Sequence, residues 1–144
     1  MPVSRDKLAD AISRVKDETI IDTNLSEIAT VKNNVLQQLQ LSSDGLRDIN
    51  TRLKRYRYID EITELNSGDY VRWIDLEKST DIKLAMGAFV CDVEINTDGM
   101  HIKLRSVTGR YIQLRMDEIM LFRKMTDDEL VVLSAMKYLD KCGK

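Results

Sequence analysis

Apolar and polar residues alternate with period two along most of Ser67 to Lys124, and this stretch predicts the strands of the protein. In Tyr70–Asp75, Val71 and Trp73 share one face while Tyr70, Arg72 and Ile74 share the other. From Phe89 on, Phe89, Cys91, Val93 and Ile95 share a face, with Asp92 and Glu94 opposite. Met100, Ile102 and Leu104 face inward on the next strand, and His101, Lys103 and Arg105 outward. Ile112 and Leu114 give the inward face of Arg110–Arg115. Gly68-Asp69, Asn96-Thr97-Asp98-Gly99 and Thr108-Gly109 read as turns. Met116 to Ile119 is too short for a helix and predicts one 3₁₀ turn before a last strand, Met120–Arg123.

Five short strands with closely spaced hairpins and a late tight turn predict an α+β fold built on a small closed barrel, since closure removes strand edges. The GDYVRW opening and the turn before the last strand resemble the SH3-like class, which includes Tudor and KOW modules. An antiparallel sheet packed on a helix is the competing arrangement.

A different period governs the flanks. Ser4 to Glu18 predicts a short amphipathic helix with Ser4 as N-cap and Leu8, Ala11, Ile12 and Val15 on one stripe. Ile20-Ile21 reads as an extended link. Thr23 to Arg57 carries a heptad pattern. Leu25, Lys32, Leu39, Leu46 and Leu53 fall at a; Ile28, Val35, Ser42, Ile49 and Tyr56 fall at d. The phase survives Ser42-Ser43-Asp44-Gly45, so the expectation is one kinked helix or two helices with a tight break. Gly45 costs roughly 1 kcal/mol relative to Ala inside a helix, which favours the break. The narrow seam of Leu25, Ile28, Val35, Leu39, Leu46, Ile49 and Leu53 is what a partner helix covers. Thr126-Asp127-Asp128-Glu129 opens a last helix, Asp127 to Lys141, as a capping box. The expected organisation is a helical arm over 1–66 and a small β-barrel with a C-terminal helix over 67–144.

Composition narrows the function. A chain of 144 residues with formal net charge −2 exerts no bulk pull toward nucleic acid or anionic membrane. Its longest apolar run, Leu84 to Cys91, cannot span a membrane. The charged N-terminus lacks a signal-peptide core, and no disulfide is expected between Cys91 and Cys142, which implies a reducing, cytoplasmic-type compartment. Asn24-Leu25-Ser26 fits a glycosylation sequon that is expected to go unused.

No phosphate-binding loop, dinucleotide fingerprint, zinc-protease motif or CxxC pair is present, so neither catalytic residues, a metal nor a cofactor is expected. His101 reads as a surface histidine. Tyr70, Trp73, Phe89 and Tyr111 could form an aromatic cage, but Trp73 and Phe89 are expected to fill the core. Arg52, Lys54, Arg55 and Arg57, with Lys103, Arg105 and Arg110, are candidate phosphate contacts; solvated cations near a helix C-terminus are the ordinary alternative.

The segments YVRWIDL, DIKLAMGAFVCDVEI and RYIQLRMDEIMLFRKMTDDELVVLSAMKYLDK resemble a group of small proteins encoded by nucleocytoplasmic large DNA viruses of the phycodnavirus and mimivirus kind. The resemblance covers roughly residues 58–141 and carries no activity with it. It implies a virion or infected-cell location. The first expectation is a non-enzymatic structural protein, a minor capsid or capsid-cementing component that binds copies of itself or other virion proteins. The alternative is a nucleic-acid-binding or transcription-associated small-barrel protein.

Overall fold

A computed structural model describes residues 5–14, 23–77 and 82–142. The chain forms two compact units, each described by itself: residues 1–42 with 125–144, and residues 43–124.

The helical unit contains α1 (Arg5–Arg14), α2 (Leu25–Gln37) and α4 (Asp127–Cys142). Helix α2 starts where Asn24, in extended conformation, accepts a hydrogen bond on Oδ1 from Glu27 N at 2.8 Å. Helix α4 starts at the expected capping box: Thr126 Oγ1 accepts from Glu129 N at 3.1 Å, and Glu129 Oε1 accepts from Thr126 N at 2.8 Å. Both α1 and α2 pack on α4, through Ala11, Ile28, Met125, Val132 and Leu133. Arg14 of α1 adds a bidentate pair to Asp128 at 2.9 and 3.0 Å. Of the expected first helix, Ser4 and Val15, with the Ile20-Ile21 link, lie outside the described residues.

The second unit holds α3 (Ser43–Arg52), β1 (Tyr56–Ile59), β2 (Tyr70–Asp75), β3 (Ala88–Asn96), β4 (Gly99–Arg105), β5 (Tyr111–Arg115) and β6 (Ile119–Lys124). A 3₁₀ turn over Met116–Glu118 leads into β6 as expected. All strand pairs are antiparallel, in the order β1-β6-β2-β3-β4-β5. Gly99 and Gly109 both take positive φ in their hairpins, at 124° and 87°. One core lies on one face of this sheet. It is made by Val71, Ala88, Val90, Ile102, Leu104, Ile119 and Leu121, closed by Ile59, Ile62 and Leu65. The other face is also buried along β6 and its neighbour, at Met120, Phe122 and Ile74.

Four expectations are corrected. The five-stranded barrel is an open six-stranded sheet, because β1 occupies the outer edge of β6 through which a ring would close. Of the alternatives for 23–57 the two helices hold, but the break falls at 38–42, with Ser43-Asp44-Gly45 inside α3, and the end is a strand: the last turn of α2 tightens, Gln40 takes φ 54°, and Tyr56 pairs with Lys124 in the sheet. The boundary expected between 66 and 67 also shifts, since α3 and β1 group with the sheet and α4 with the other helices. Finally, the inward face of β3 is carried by Ala88 and Val90. A bulge between Val90 and Asp92 absorbs Cys91, turns Phe89 and Cys91 outward and brings Val93 against the core. Ile95 and Met100, near the hairpin tip, are exposed, and Ile74 is fully buried on the second face.

Candidate nucleic-acid interface

The register places a row of side chains across the second face of four strands. Tyr70 pairs with Phe89, Phe89 with Arg105, and Arg105 with Tyr111. Cross-strand partners point to the same face, so these four form one line perpendicular to the strands. The rings of Tyr70 and Phe89 meet edge to face at 5.0 Å. The guanidinium of Arg105 lies 5.9 Å from the centroid of Tyr111. Phe89 remains 43% exposed and Tyr111 73% exposed. Met86 in the β2–β3 connection and Val107 in the β4–β5 turn, 86% and 77% exposed, continue the apolar surface at the same end of the strands.

The β2–β3 connection holds this row in place. Tyr70 Oη donates to Met86 O at 3.0 Å, Arg72 Nε donates to Ala85 O at 2.8 Å, and Ala85 N donates to Trp73 O at 2.8 Å. Gly87 takes φ 114°, and a Cβ there would stand 2.5 Å from Tyr70 Oη, so this position requires glycine for both conformation and space. Burial pushes the Tyr56 phenol above its ordinary value; nearby Tyr70 acts the same way and Arg72 against it. Tyr56 therefore borders the row from β1.

Charge is partitioned between the aromatic row and the strand ends far from it. Residues 43–124 contain fourteen basic and fourteen acidic side chains, so the unit as a whole is neutral. Lys54 and Arg55 precede β1, Lys124 ends β6, Arg105 ends β4 and Arg110 precedes β5; the register puts all of them on or beside the aromatic row, from which β1, β6 and β2 run to one side of the sheet and β3, β4 and β5 to the other. All five are exposed. Asp69, next to Tyr70 of the row, is half-buried and accepts from Asn66 N at 2.8 Å. The strand ends far from the row hold Asp60, Glu61, Asp75 and Glu77 on one side and Asp98 on the other, with Asp117 and Glu118 in the 3₁₀ turn between β5 and β6. There an open hollow of about 400 Å³ is lined by Asp75, His101, Gln113, Arg115 and Glu118. Its groups are engaged with one another or with their neighbours. Arg115 contacts Asp98 O, Asp117 and Glu118, and His101 Nδ1 lies 3.3 Å from Gln113 Nε2.

The candidate phosphate contacts thus separate. By register Lys54, Arg55, Arg105 and Arg110 fall along the aromatic row, from the β1 edge to the β5 edge. Arg52 pairs with Asp48 on α3, Arg57 is mostly buried against Glu64, and Lys103 pairs with Glu94 at 3.1 Å. Lys124 joins the group through its register with Tyr56, a long-range fact without a local sequence signal. The aromatic cage does not form, because Trp73 packs toward the core while Tyr70, Phe89 and Tyr111 lie on the opposite face; Phe89 is not a core residue.

The heptad seam is divided between the units. Leu25 and Ile28 pack in the chain's own helical cluster, and Val35 and Leu39 are half-buried on or just after α2. Leu46 is half-buried and Ile49 and Leu53 are buried in the sheet unit. Lys32 is buried, and desolvation lowers its pKa.

Among the described residues, no group of three or more His, Cys, Asp and Glu could hold a metal ion, and no helix is long and apolar enough to cross a membrane. Comparison with protein-family models, with curated proteins and with solved structures finds no match for this chain.

Proposed function

We propose that this chain is a non-enzymatic nucleic-acid-binding protein, and that the row across the sheet flanked by Lys54, Arg55, Arg110 and Lys124 takes the phosphate backbone. The observation that carries the reading is the partition of a neutral unit into a basic-aromatic row and acidic strand ends away from it. Net charge hides such an arrangement, yet local potential governs the approach of a polyanion. The acidic strand ends on either side oppose the approach of the same ligand and so confine it to the row. The 3₁₀ turn before β6 and the pairing of β6 with β2 support an SH3-like reading of strands β2 to β6, with β1 as an added edge strand. The resemblance to proteins of large DNA viruses supports a viral source, with the viral genome or its transcripts as the ligand.

The test is fluorescence anisotropy with labelled single strands and duplexes, each about 20 nucleotides long, over a range of salt. Neutralising four phosphates predicts a log–log salt slope of about −3 on a single strand. The triple variant Lys54→Glu, Arg55→Glu, Arg110→Glu abolishes binding, while Asp98→Lys at the far end preserves it. No binding at low salt, or equal binding by poly-glutamate, overturns the reading.

A structural role in a virion is the second reading. Exposed Ile12 on α1 and Val31 on α2, 42% and 48% accessible, are the apolar positions that favour it. Light scattering of the purified chain tests it: a monomer at high concentration counts against it.

A further inference from the structure

We propose that the ligand is single-stranded, and that two of its bases stack on Phe89 and Tyr111 while the cations around them hold its backbone; this rests on the nucleic-acid reading above. Positive charge alone takes any polyanion, duplex included. The aromatic row adds a requirement that a duplex does not meet. Phe89 and Tyr111 sit on strands two apart, so their backbones are separated by about 10 Å across the sheet. Bases within a duplex are stacked on one another at about 3.4 Å per strand and hide their faces. Splayed bases of an unpaired strand reach rings at the wider spacing, and sheet-borne aromatics that stack two or three bases are a recurring device for single strands.

Side-chain placement favours the same ligand. Tyr70 touches Phe89 edge-on, and its hydroxyl is tied to the main chain at Met86. It therefore fixes the Phe89 ring and leaves part of that ring open. Arg105 stands between the two open rings with its guanidinium over Tyr111, where it can meet a phosphate or the edge of a base. An apolar row meant for the interior would not keep Tyr111 73% exposed. Acidic peptides meet the cations but offer no flat faces, and neutral peptides leave the cations unused.

The experiment compares a thymidine strand of about 12 nucleotides, the same strand with abasic sugars, and a duplex of the same length, each labelled and titrated with the full chain at one salt concentration. Expected is at least tenfold tighter binding to the base-bearing strand than to either of the others. Phe89→Leu and Tyr111→Leu should each weaken that strand roughly 5- to 100-fold, the range of one lost base stack. Neither should change binding of the abasic strand. Trp73 fluorescence and the far-ultraviolet spectrum of each variant check that it folds; Tyr111→Leu, at an exposed edge-strand position, keeps the test valid should Phe89→Leu unfold. If abasic strand and duplex bind as tightly as the base-bearing strand, and still lose binding in the charge-reversal triple variant, the single-strand inference falls and the nucleic-acid reading stands. If no oligonucleotide binds, both fall.

Discussion

Gly87→Ala is the substitution that tests how the aromatic row is held. The glycine has φ 114°, and the added methyl would lie 2.5 to 2.8 Å from Oη, Cζ and Cε2 of Tyr70. An L-residue at such a φ costs about 1–3 kcal/mol in backbone strain. Tyr70 must also move, which weakens its hydrogen bond to Met86 O, worth about 0.5–1.5 kcal/mol, and its edge contact with Phe89, worth a similar amount. The expected total is about 2–4 kcal/mol, since Tyr70 is only half-buried and relaxes in part. Gly68→Ala supplies the control: φ is 93° and no heavy atom lies within 4 Å of where its Cβ would stand, so it costs the backbone strain alone. Urea unfolding followed through Trp73, the single tryptophan and a half-buried member of the sheet core, reports the sheet unit directly. On a Tyr70→Ala background the Gly87→Ala cost should shrink to that of Gly68→Ala. Equal costs for the two glycine variants in the wild-type background would refute the close approach to Tyr70.

Thr126→Ala should destabilise the helical unit by about 1 kcal/mol, read by circular dichroism, because Glu129 N loses its capping acceptor; Thr126→Ser should restore it. Arg14, through its side-chain hydrogen bonds, holds the Asp128 carboxyl below the usual aspartate range. The native pKa lies below the unfolded value, so this contribution is fully present above the unfolded pKa and is lost as pH falls through the native one. Arg14→Gln should return the Asp128 carboxyl to its ordinary value in a pH titration of its carbon-13 shift.

Much of the sheet is legible in the sequence, because hairpin glycines, period-two alternation and the tight turn before β6 are local signals. Strand β1 is hidden by the heptad phase that runs through Leu53 to Tyr56; only pairing with β6 makes Tyr56–Ile59 a strand. The face of β3 comes out inverted for a different reason. Large Phe89 and Ile95 outweigh small Ala88 in the pattern, and the extra residue at Cys91 leaves no mark in an alternation read from one segment. That inversion also places Phe89 in the core and so conceals the row. The cations are visible one by one, but their alignment along one row, with Lys124 and without Lys103 or Arg57, depends on the register of six strands. Register is fixed by tertiary packing, and formal charge carries no trace of it.

Ultraviolet cross-linking of a bound thymidine strand to the full chain, with the linked residues identified by mass spectrometry, tests the central claim most directly. The account predicts cross-links at Phe89 and Tyr111, with Tyr70 or Met86 beside them. Cross-links confined to the acidic strand ends, around Asp75, Asp98 and Glu118, or to the helices, would contradict it.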